Sequence, residues 1–410
     1  MKKLRVAIYS GEVPSSTFIE RLVYSLADSG IIVYLFGRKR SDYNYNKEKN
    51  IYDYTTPNKK TFLFFFIIYQ LLLIIFTAPL SLVKLITFKI KSTKNWSNGF
   101  FTWLAKTLPI VNHLPDIFHI QWAKALPEWF FLKQLFGVKI VLSLRGAHIN
   151  YSPLANSFLA NQYSSLFPNV DMFHAVSKDL ANQVEKYGTD KKKVHVIYSG
   201  LNLQSFQFHK KSDWESHNPF QFISVGRFHW KKGYQYALSS VRAILNKNIP
   251  IHYTIIAKGV PNDEILYYVN NLRLEDYVTF LQLKTQEEVY CQMKESDCLI
   301  LPSIEEGIAN VVLESMAIGL PVISSNCCGM NEVVKNNENG FTFINRDIND
   351  LTSVMLDVIA YSPSKRKKIA KAGLAHIERN HDIIQLGEKM KVYYHAVLEL
   401  TKPVPDNQIL

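Results

Sequence analysis

Residues 300–325 read Ile300-Leu301-Pro302-Ser303-Ile304-Glu305-Glu306-Gly307-Ile308-Ala309-Asn310-Val311-Val312-Leu313-Glu314-Ser315-Met316-Ala317-Ile318-Gly319-Leu320-Pro321-Val322-Ile323-Ser324-Ser325. The apolar run Cys298 to Leu301 predicts a buried strand that ends at Pro302-Ser303. An acidic, glycine-containing loop follows. A helix is expected from near Ala309 to just before Gly319-Leu320-Pro321, and a second strand over Val322 to Ser324. Strand, loop, helix and strand make one βαβ unit of a parallel sheet. Such sheets bind ligands at the carboxyl ends of their strands, beside helix N-termini. Glu306 in the loop and Glu314 in the helix, with seven residues between them, fall at that edge. The diphosphate of a nucleotide-sugar suits the helix N–H groups, and sugar and ribose hydroxyls suit the carboxylates. A solvated loop residue and a helix surface residue is the plainer reading of the same pair.

A second pattern lies 80 residues upstream. Phe222 to Val225 is a short apolar run, followed by Gly226-Arg227-Phe228-His229-Trp230-Lys231-Lys232-Gly233 and a helix expected from Tyr234. Arginine presents a rigid fork of donors and lysine a mobile point charge. Together they suit a departing diphosphate, whose charge grows as the glycosidic bond breaks. A basic surface loop is the alternative.

Taken together, the two patterns closely resemble the signature of family 4 retaining glycosyltransferases. The matching residues are Gly226-Arg227 with Lys232-Gly233, Pro302-Ser303, Glu306-Gly307-Ile308-Ala309, Leu313-Glu314-Ser315-Met316-Ala317 and Gly319-Leu320-Pro321-Val322. Ile308-Ala309 stands where the family usually has an aromatic residue and glycine. The resemblance implies an α/β fold of GT-B architecture: two Rossmann-like domains facing across a cleft, with a C-terminal helix returning to the first. It implies catalytic roles for Glu306, Arg227 and Lys232, and donor contacts at Gly226, Gly307, Ile308, Ala309, Asn310 and Glu314. The loop after the first strand, with Gly11 and Thr17, resembles the family loop that faces the cleft. The loop Ser143-Leu144-Arg145-Gly146-Ala147-His148 carries Arg145-Gly146 where many members have His-Gly. That substitution makes Arg145 a candidate for holding a phosphate or an acceptor hydroxyl, and His148 a candidate replacement for the imidazole. Ser177-Lys178 and Tyr198-Ser199-Gly200-Leu201-Asn202 match two further family landmarks. Ala257-Lys258-Gly259 and Gln282 depart from glycines that border the base, so these positions leave the base unread.

A chain of 410 residues is long enough for two domains. The first is expected over 1–206, with an apolar and basic insertion at about 58–95. A polar, aperiodic linker is expected over 207–219, a nucleotide-sugar-binding domain over 220–381, and a helix and tail crossing back over 382–410. In the first domain, strands are expected at Leu4 to Tyr9, Ile31 to Phe36, Ile117 to Ile120, Lys139 to Leu144, Met172 to Ala175 and Val194 to Ile197. Ser10 to Thr17 reads as a polar loop. Helices are expected at Phe18 to Ser29 and Ser177 to Tyr187.

Charge is uneven. Residues 1–205 hold 25 Lys+Arg against 12 Asp+Glu, and the remainder 22 against 23. Between Asp53 and Asp116 there are seven lysines, among them Lys59, Lys60, Lys84, Lys89, Lys91 and Lys94, and no acid. Inside this interval Thr61 to Ala78 is apolar enough for a membrane span. A single crossing would put strands of one sheet on opposite sides of a bilayer. An interfacial helix, or a re-entrant hairpin turning near Pro79, avoids that and sets the lysines against anionic head groups. A helix buried against the sheet is the other alternative. No nucleic-acid motif accompanies the basic surface. Cys291, Cys298, Cys327 and Cys328 lack zinc-ligand spacing, there is no secretory signal pattern, and reduced thiols are expected. No metal and no cofactor are expected.

These features lead to an expected glycosyltransferase at the cytoplasmic face of the membrane. It would use a nucleotide diphosphate-sugar donor and a saccharide or lipid-linked saccharide acceptor, as in bacterial surface polysaccharide assembly. A catalytically silent subunit that only holds donor or membrane is the alternative, favoured by the missing first-domain histidine. Epimerases and phosphorylases share the architecture but lack the joint motifs.

Overall fold

The first strand explains how the N-terminal half is built. Val6, Ala7 and Ile8 are fully enclosed, as befits the centre of a parallel sheet covered on both faces. In the computed structural model, which describes residues 3–41, 43–45, 49–92, 99–283 and 285–399, this strand is β1 (Arg5–Val13). It pairs with β2 (Ile32–Lys39) and β4 (Ile117–Ile120), and the sheet continues through β3 (Ile51–Thr56), β5 (Lys139–Leu144), β6 (Met172–Ala175) and β7 (Val194–Val196). The order β3-β2-β1-β4-β5-β6-β7 is parallel throughout. The second sheet is likewise parallel: β8 (Phe220–Val225), β9 (Ile251–Ile256), β10 (Val278–Leu281), β11 (Cys298–Leu301), β12 (Val322–Ser325) and β13 (Phe341–Phe343), in the order β10-β9-β8-β11-β12-β13. Contacts divide the chain into one unit of Met1–Val176, Ala181–Ile197 and Ile384–Leu410, and another of Ser177–Leu180 and Tyr198–Ile383.

Two expectations need correction. Ser10 to Val13 is strand, because Glu12 and Val13 pair with Arg38 and Lys39 after a register shift at Gly11 (φ +87°). The helix expected from Ser177 to Tyr187 is two short pieces, Lys178–Asn182 and Glu185–Tyr187, the second ending at a left-handed Gly188. β3 carried no period strong enough to be read. By contacts the second unit runs from Tyr198 to Ile383, with Leu201 and Phe206 buried in its core. The stretch 207–219 is fastened to that unit: Lys211 donates to the carbonyls of Lys294 and Ser296, and the Trp214 indole to that of Gly319.

The C-terminal helix (Ile383–Glu399) belongs, from Ile384 onward, to the first unit. Leu386, Met390, Tyr393, Tyr394 and Val397 pack with α1 (Thr17–Asp28) in one apolar cluster. Gly387 allows the close approach, because a Cβ there would collide with the Ser25 carbonyl. The tail 400–410 and Lys94 lie outside the described residues.

The apolar insertion forms α2 (Lys60–Thr77) and α3 (Pro79–Ser92). Only Ile67, Gln70 and Ile74 of α2 are buried, a stripe at helical spacing that packs on α4 (Phe100–Asn112). Asn112 Nδ2 fixes the contact by donating to Gln70 Oε1 at 2.6 Å. Phe62, Phe65, Tyr69, Leu72 and Phe76 make a second apolar stripe, and it faces solvent. The buried-helix alternative therefore fails: only 17% of α2 is enclosed.

Candidate active site

β8 and β11 are parallel neighbours, so both conserve one direction and their carboxyl ends open at the same edge. After β8 the chain turns through Gly226 and Arg227 into a short 3₁₀ turn, Trp230–Lys232, which ends at Gly233 in the left-handed region (φ +64°). A Cβ at Gly233 would also collide with the Pro302 carbonyl. Glycine thus answers two demands at once, a positive φ and a close approach to the loop leaving β11. The Ile304 N–H donates to the Lys231 carbonyl at 2.7 Å, which fastens the two loops together.

The contact between the loops ends in an ion pair. Lys232 Nζ donates to Glu306 Oε1 at 2.6 Å, Ser303 Oγ to the same oxygen at 3.4 Å, and Lys231 Nζ stands 3.8 Å from Glu306 Oε2. Burial pushes the Glu306 carboxyl up, but Lys232 and then Lys231 outweigh it and hold it below its usual range. Gly226 makes room for this arrangement, since a Cβ there would sit 3.0 Å from Tyr234 Oη and 3.1 Å from Lys232 Cε. Arg227 lies exposed on the same turn.

The helix Asn310–Ile318 begins beside this pair. Its N-cap, Ala309, has no side-chain acceptor to spend on the first-turn N–H groups. Gly307 presses its carbonyl against Gly329, where any Cβ would collide with it. Ala309 is buried, while Ile308 and Asn310 keep partial exposure. Glu314 lies one turn into the helix, is buried, and accepts from Gln286 Nε2 at 3.4 Å. The second unit thus brings Lys232 and Glu306 into contact, with Arg227 and the uncapped helix on adjoining turns. Lys231 and Gln286 went unread in the sequence. A second lysine beside Lys232 was visible there, but nothing marked Gln286, which arrives on a separate helix. Glu332 was also unread. It accepts the Lys178 and Asp179 N–H groups and the Tyr198 hydroxyl, joining both remaining landmarks.

In the first unit, Gly11 lies within β1 and Thr17 opens α1. Arg145 follows β5. Its guanidinium covers the Phe18 ring at 4.7 Å and donates from Nη2 to Gln121 Oε1 at 2.9 Å. Burial lowers its pKa to about 10, so it stays charged at neutral pH. His148 sits against Trp122 with ring centres 5.2 Å apart, and burial followed by Lys124 lowers its pKa to about 4.

Beneath Arg145 runs a chain of buried groups whose tautomers follow from their partners. Among the described residues His174 Nε2 meets the Ile197 carbonyl at 2.9 Å, to which it must donate. Its Nδ1 then accepts from Ser143 Oγ at 3.2 Å. Ser143 Oγ accepts in turn from His119 Nε2 at 2.8 Å, and His119 Nδ1 from Tyr394 Oη at 2.7 Å. Both imidazoles are therefore neutral, as their burial also requires. All four cysteines are free. Among the described residues no group of three or more His, Cys, Asp or Glu is placed to hold a metal.

Comparison with known proteins gives the family and the fold. The family description "Glycosyltransferase Family 4" matches residues 15–205, and "Glycosyl transferases group 1" matches residues 205–376. The amylovoran biosynthesis glycosyltransferase AmsK of Erwinia amylovora is 27% identical over 277 residues, 64% of this chain and 67% of that protein. A Campylobacter jejuni N-acetylgalactosaminyltransferase, whose name gives a diphospho-undecaprenol-linked saccharide as acceptor, is 30% identical over 175 residues. That match covers 42% of this chain and 46% of its own. The chain thus spans about two thirds of one relative and under half of the other. The crystal structure of Anabaena HepE with UDP and glucose superposes with a TM-score of 0.71 at 14% identity, covering 96% of this chain and all of that one. The two parallel sheets with their interleaved helices are those of the GT-B fold, and the chain belongs to glycosyltransferase family 4.

Proposed function

We propose that this protein transfers a sugar from a nucleotide diphosphate-sugar to a saccharide or lipid-linked saccharide, with retention of anomeric configuration, in bacterial surface polysaccharide assembly. The observation that carries the reading is the Lys232–Glu306 pair at the joint end of β8 and β11, with Arg227 exposed beside it. Arg227 and Lys232 neutralise the diphosphate as it leaves, with Lys231 adding charge. The N–H groups at the start of the Asn310–Ile318 helix take phosphate oxygens. Glu306, ionised at neutral pH, accepts from donor-sugar hydroxyls and steadies positive charge at the anomeric carbon. Glu314 accepts from the ribose hydroxyls. Before the donor arrives, Glu306 is the counter-ion of Lys232; once phosphate takes the lysine, the carboxylate is released to the sugar. The UDP bound by HepE and the acceptor in the name of the Campylobacter relative support the donor and acceptor classes.

The same reading puts the protein on the inner face of the cell membrane. α2 and α3 expose Phe62, Phe65, Phe76 and Leu80 between Lys59, Lys60, Lys84 and Lys89, in an interval free of acids. An exposed apolar stripe with basic flanks suits an anionic bilayer surface. The function is tested by incubating purified protein with single nucleotide-sugars: consumption of one donor class supports it, and consumption of none refutes it.

A further inference from the structure

The first unit holds a cation that has no counter-ion among the described residues. Among the described residues no carboxylate acts on Arg145, and the ionisable neighbour that favours its charge is the Tyr394 hydroxyl. His119 and His174 beneath it are neutral. A guanidinium in such a place is costly unless an anion joins it.

Its surroundings are short of acceptors as well. Arg145 Nε, Gln121 Nε2, His148 Nδ1 and Ser16 Oγ are all enclosed and have no hydrogen-bond partner among the described residues. Buried polar atoms are nearly always paired, so four in one neighbourhood need a reason. They share one region of the fold. Arg145 holds Gln121 and covers Phe18; Phe18 meets Trp122 edge-on at 6.1 Å; Trp122 packs on His148; and Ser16 is the N-cap of the helix that carries Phe18. Gln121 Oε1 is committed to Arg145, which leaves its amide as a donor. Arg145 Nε and the Gln121 amide are donors only, and the Ser16 hydroxyl and neutral imidazole can each donate. Arg145 itself keeps partial exposure, so the group is open to a ligand.

We propose that Arg145, Gln121, Ser16 and His148 bind an oxyanion, a phosphate or a carboxylate, of the acceptor, with Phe18 and Trp122 as the apolar walls against which its sugar ring lies. The assignment of the anion to the acceptor rests on the function proposed above; the oxyanion site itself does not. Arginine suits the task because its fork bonds two oxygens at once. The acceptor would therefore be selected by charge as well as by its hydroxyl pattern.

The test is calorimetric titration of the whole protein with inorganic pyrophosphate, in wild type and in Arg145→Gln, Arg145→Lys and Arg227→Ala. Two pyrophosphates are expected per wild-type chain and one in each of Arg145→Gln and Arg227→Ala. Arg145→Lys should keep both, with the affinity of one lowered roughly tenfold for the lost second bond of the fork. Free of ligand, Arg145→Gln should melt no lower than wild type, because it removes an uncompensated charge. A residue that only braces the loop would lower the melting temperature and leave two pyrophosphates bound, which would overturn the proposal. One pyrophosphate in wild type, lost only in Arg227→Ala, would also overturn it while leaving the donor site intact. One lost only in Arg145→Gln would uphold it and remove the donor reading instead. Displacement of the Arg145-dependent pyrophosphate by D-glucuronate would mark a carboxylate site, and its failure to displace would mark a phosphate site.

Discussion

At the carboxyl edge of the second sheet Lys232 is met by Glu306 at 2.6 Å; at the carboxyl edge of the first, Arg145 is met by the neutral amide of Gln121 at 2.9 Å. The second centre carries its own counter-charge. The first has a fixed cation, two neutral imidazoles and unpaired donors, and is completed by what binds. The difference fits their proposed tasks. A donor site must neutralise charge that grows during the reaction, and an acceptor site must recognise charge already present.

The largest expected effect lies in the second centre. Arg227→Ala and Lys232→Ala should each reduce turnover by about 100- to 1000-fold, the roughly 2.7–4 kcal/mol typical of a lost contact to charge that peaks in the transition state. Steady-state rates at saturating donor check this, and a variant within threefold of wild type would remove the contrast between the two centres.

A smaller effect is expected on acidification, and it should fall on the first unit. Burial lowers the His119 pKa well below its usual value and that of His174 to about 3, while the unfolded chain protonates them near 6.5. Between those values the unfolded state binds more protons, so stability falls as pH drops below 6.5. For an imidazole like His174 the loss at pH 5 is about 2 kcal/mol. Glu20, whose carboxyl is raised by burial, works in the opposite direction and softens the fall. The Glu306 pair behaves differently: its depressed carboxyl keeps its stabilising charge until pH falls below the ordinary value of 4.5. Hydrogen exchange at pH 7 and pH 5 should show β4, β5 and β6 losing protection before β8 and β11. Equal loss in both sheets would contradict the burial argument.

The smallest effect belongs to the surface. Each lysine near an anionic bilayer contributes about 1 kcal/mol, and salt screens that part but not the apolar stripe of α2. Flotation with anionic vesicles should show binding that weakens with salt and persists in part. A chain that ignores such vesicles at low salt would exclude the membrane face.

The same contrast explains what could be read from sequence. The second centre lies in two short runs, Gly226 to Gly233 and Pro302 to Glu314, whose strands are neighbours in a parallel sheet, so local pattern and topology agree. Even there Gln286 was invisible, because it comes from a separate helix. The first centre draws Ser16, Gln121 and Arg145 from three strand ends, and its buried chain reaches Tyr394, 275 residues from His119. No local spacing encodes that closure. The C-terminal helix was legible from its period, but its place against α1 rests on Gly387, whose only sequence mark was being glycine. Ser10 to Val13 was misread because strand pairing with β2 overrode its polar, glycine-containing composition.

The central claim, a nucleotide diphosphate-sugar-dependent transferase acting with retention, is tested most directly by following single nucleotide-sugars with purified protein by real-time NMR. The account predicts that one donor class is consumed, that its nucleoside diphosphate is released, and that the transferred or hydrolysed sugar first appears with the donor's own anomeric configuration. No consumption of any donor, or first appearance of the opposite anomer, would contradict it.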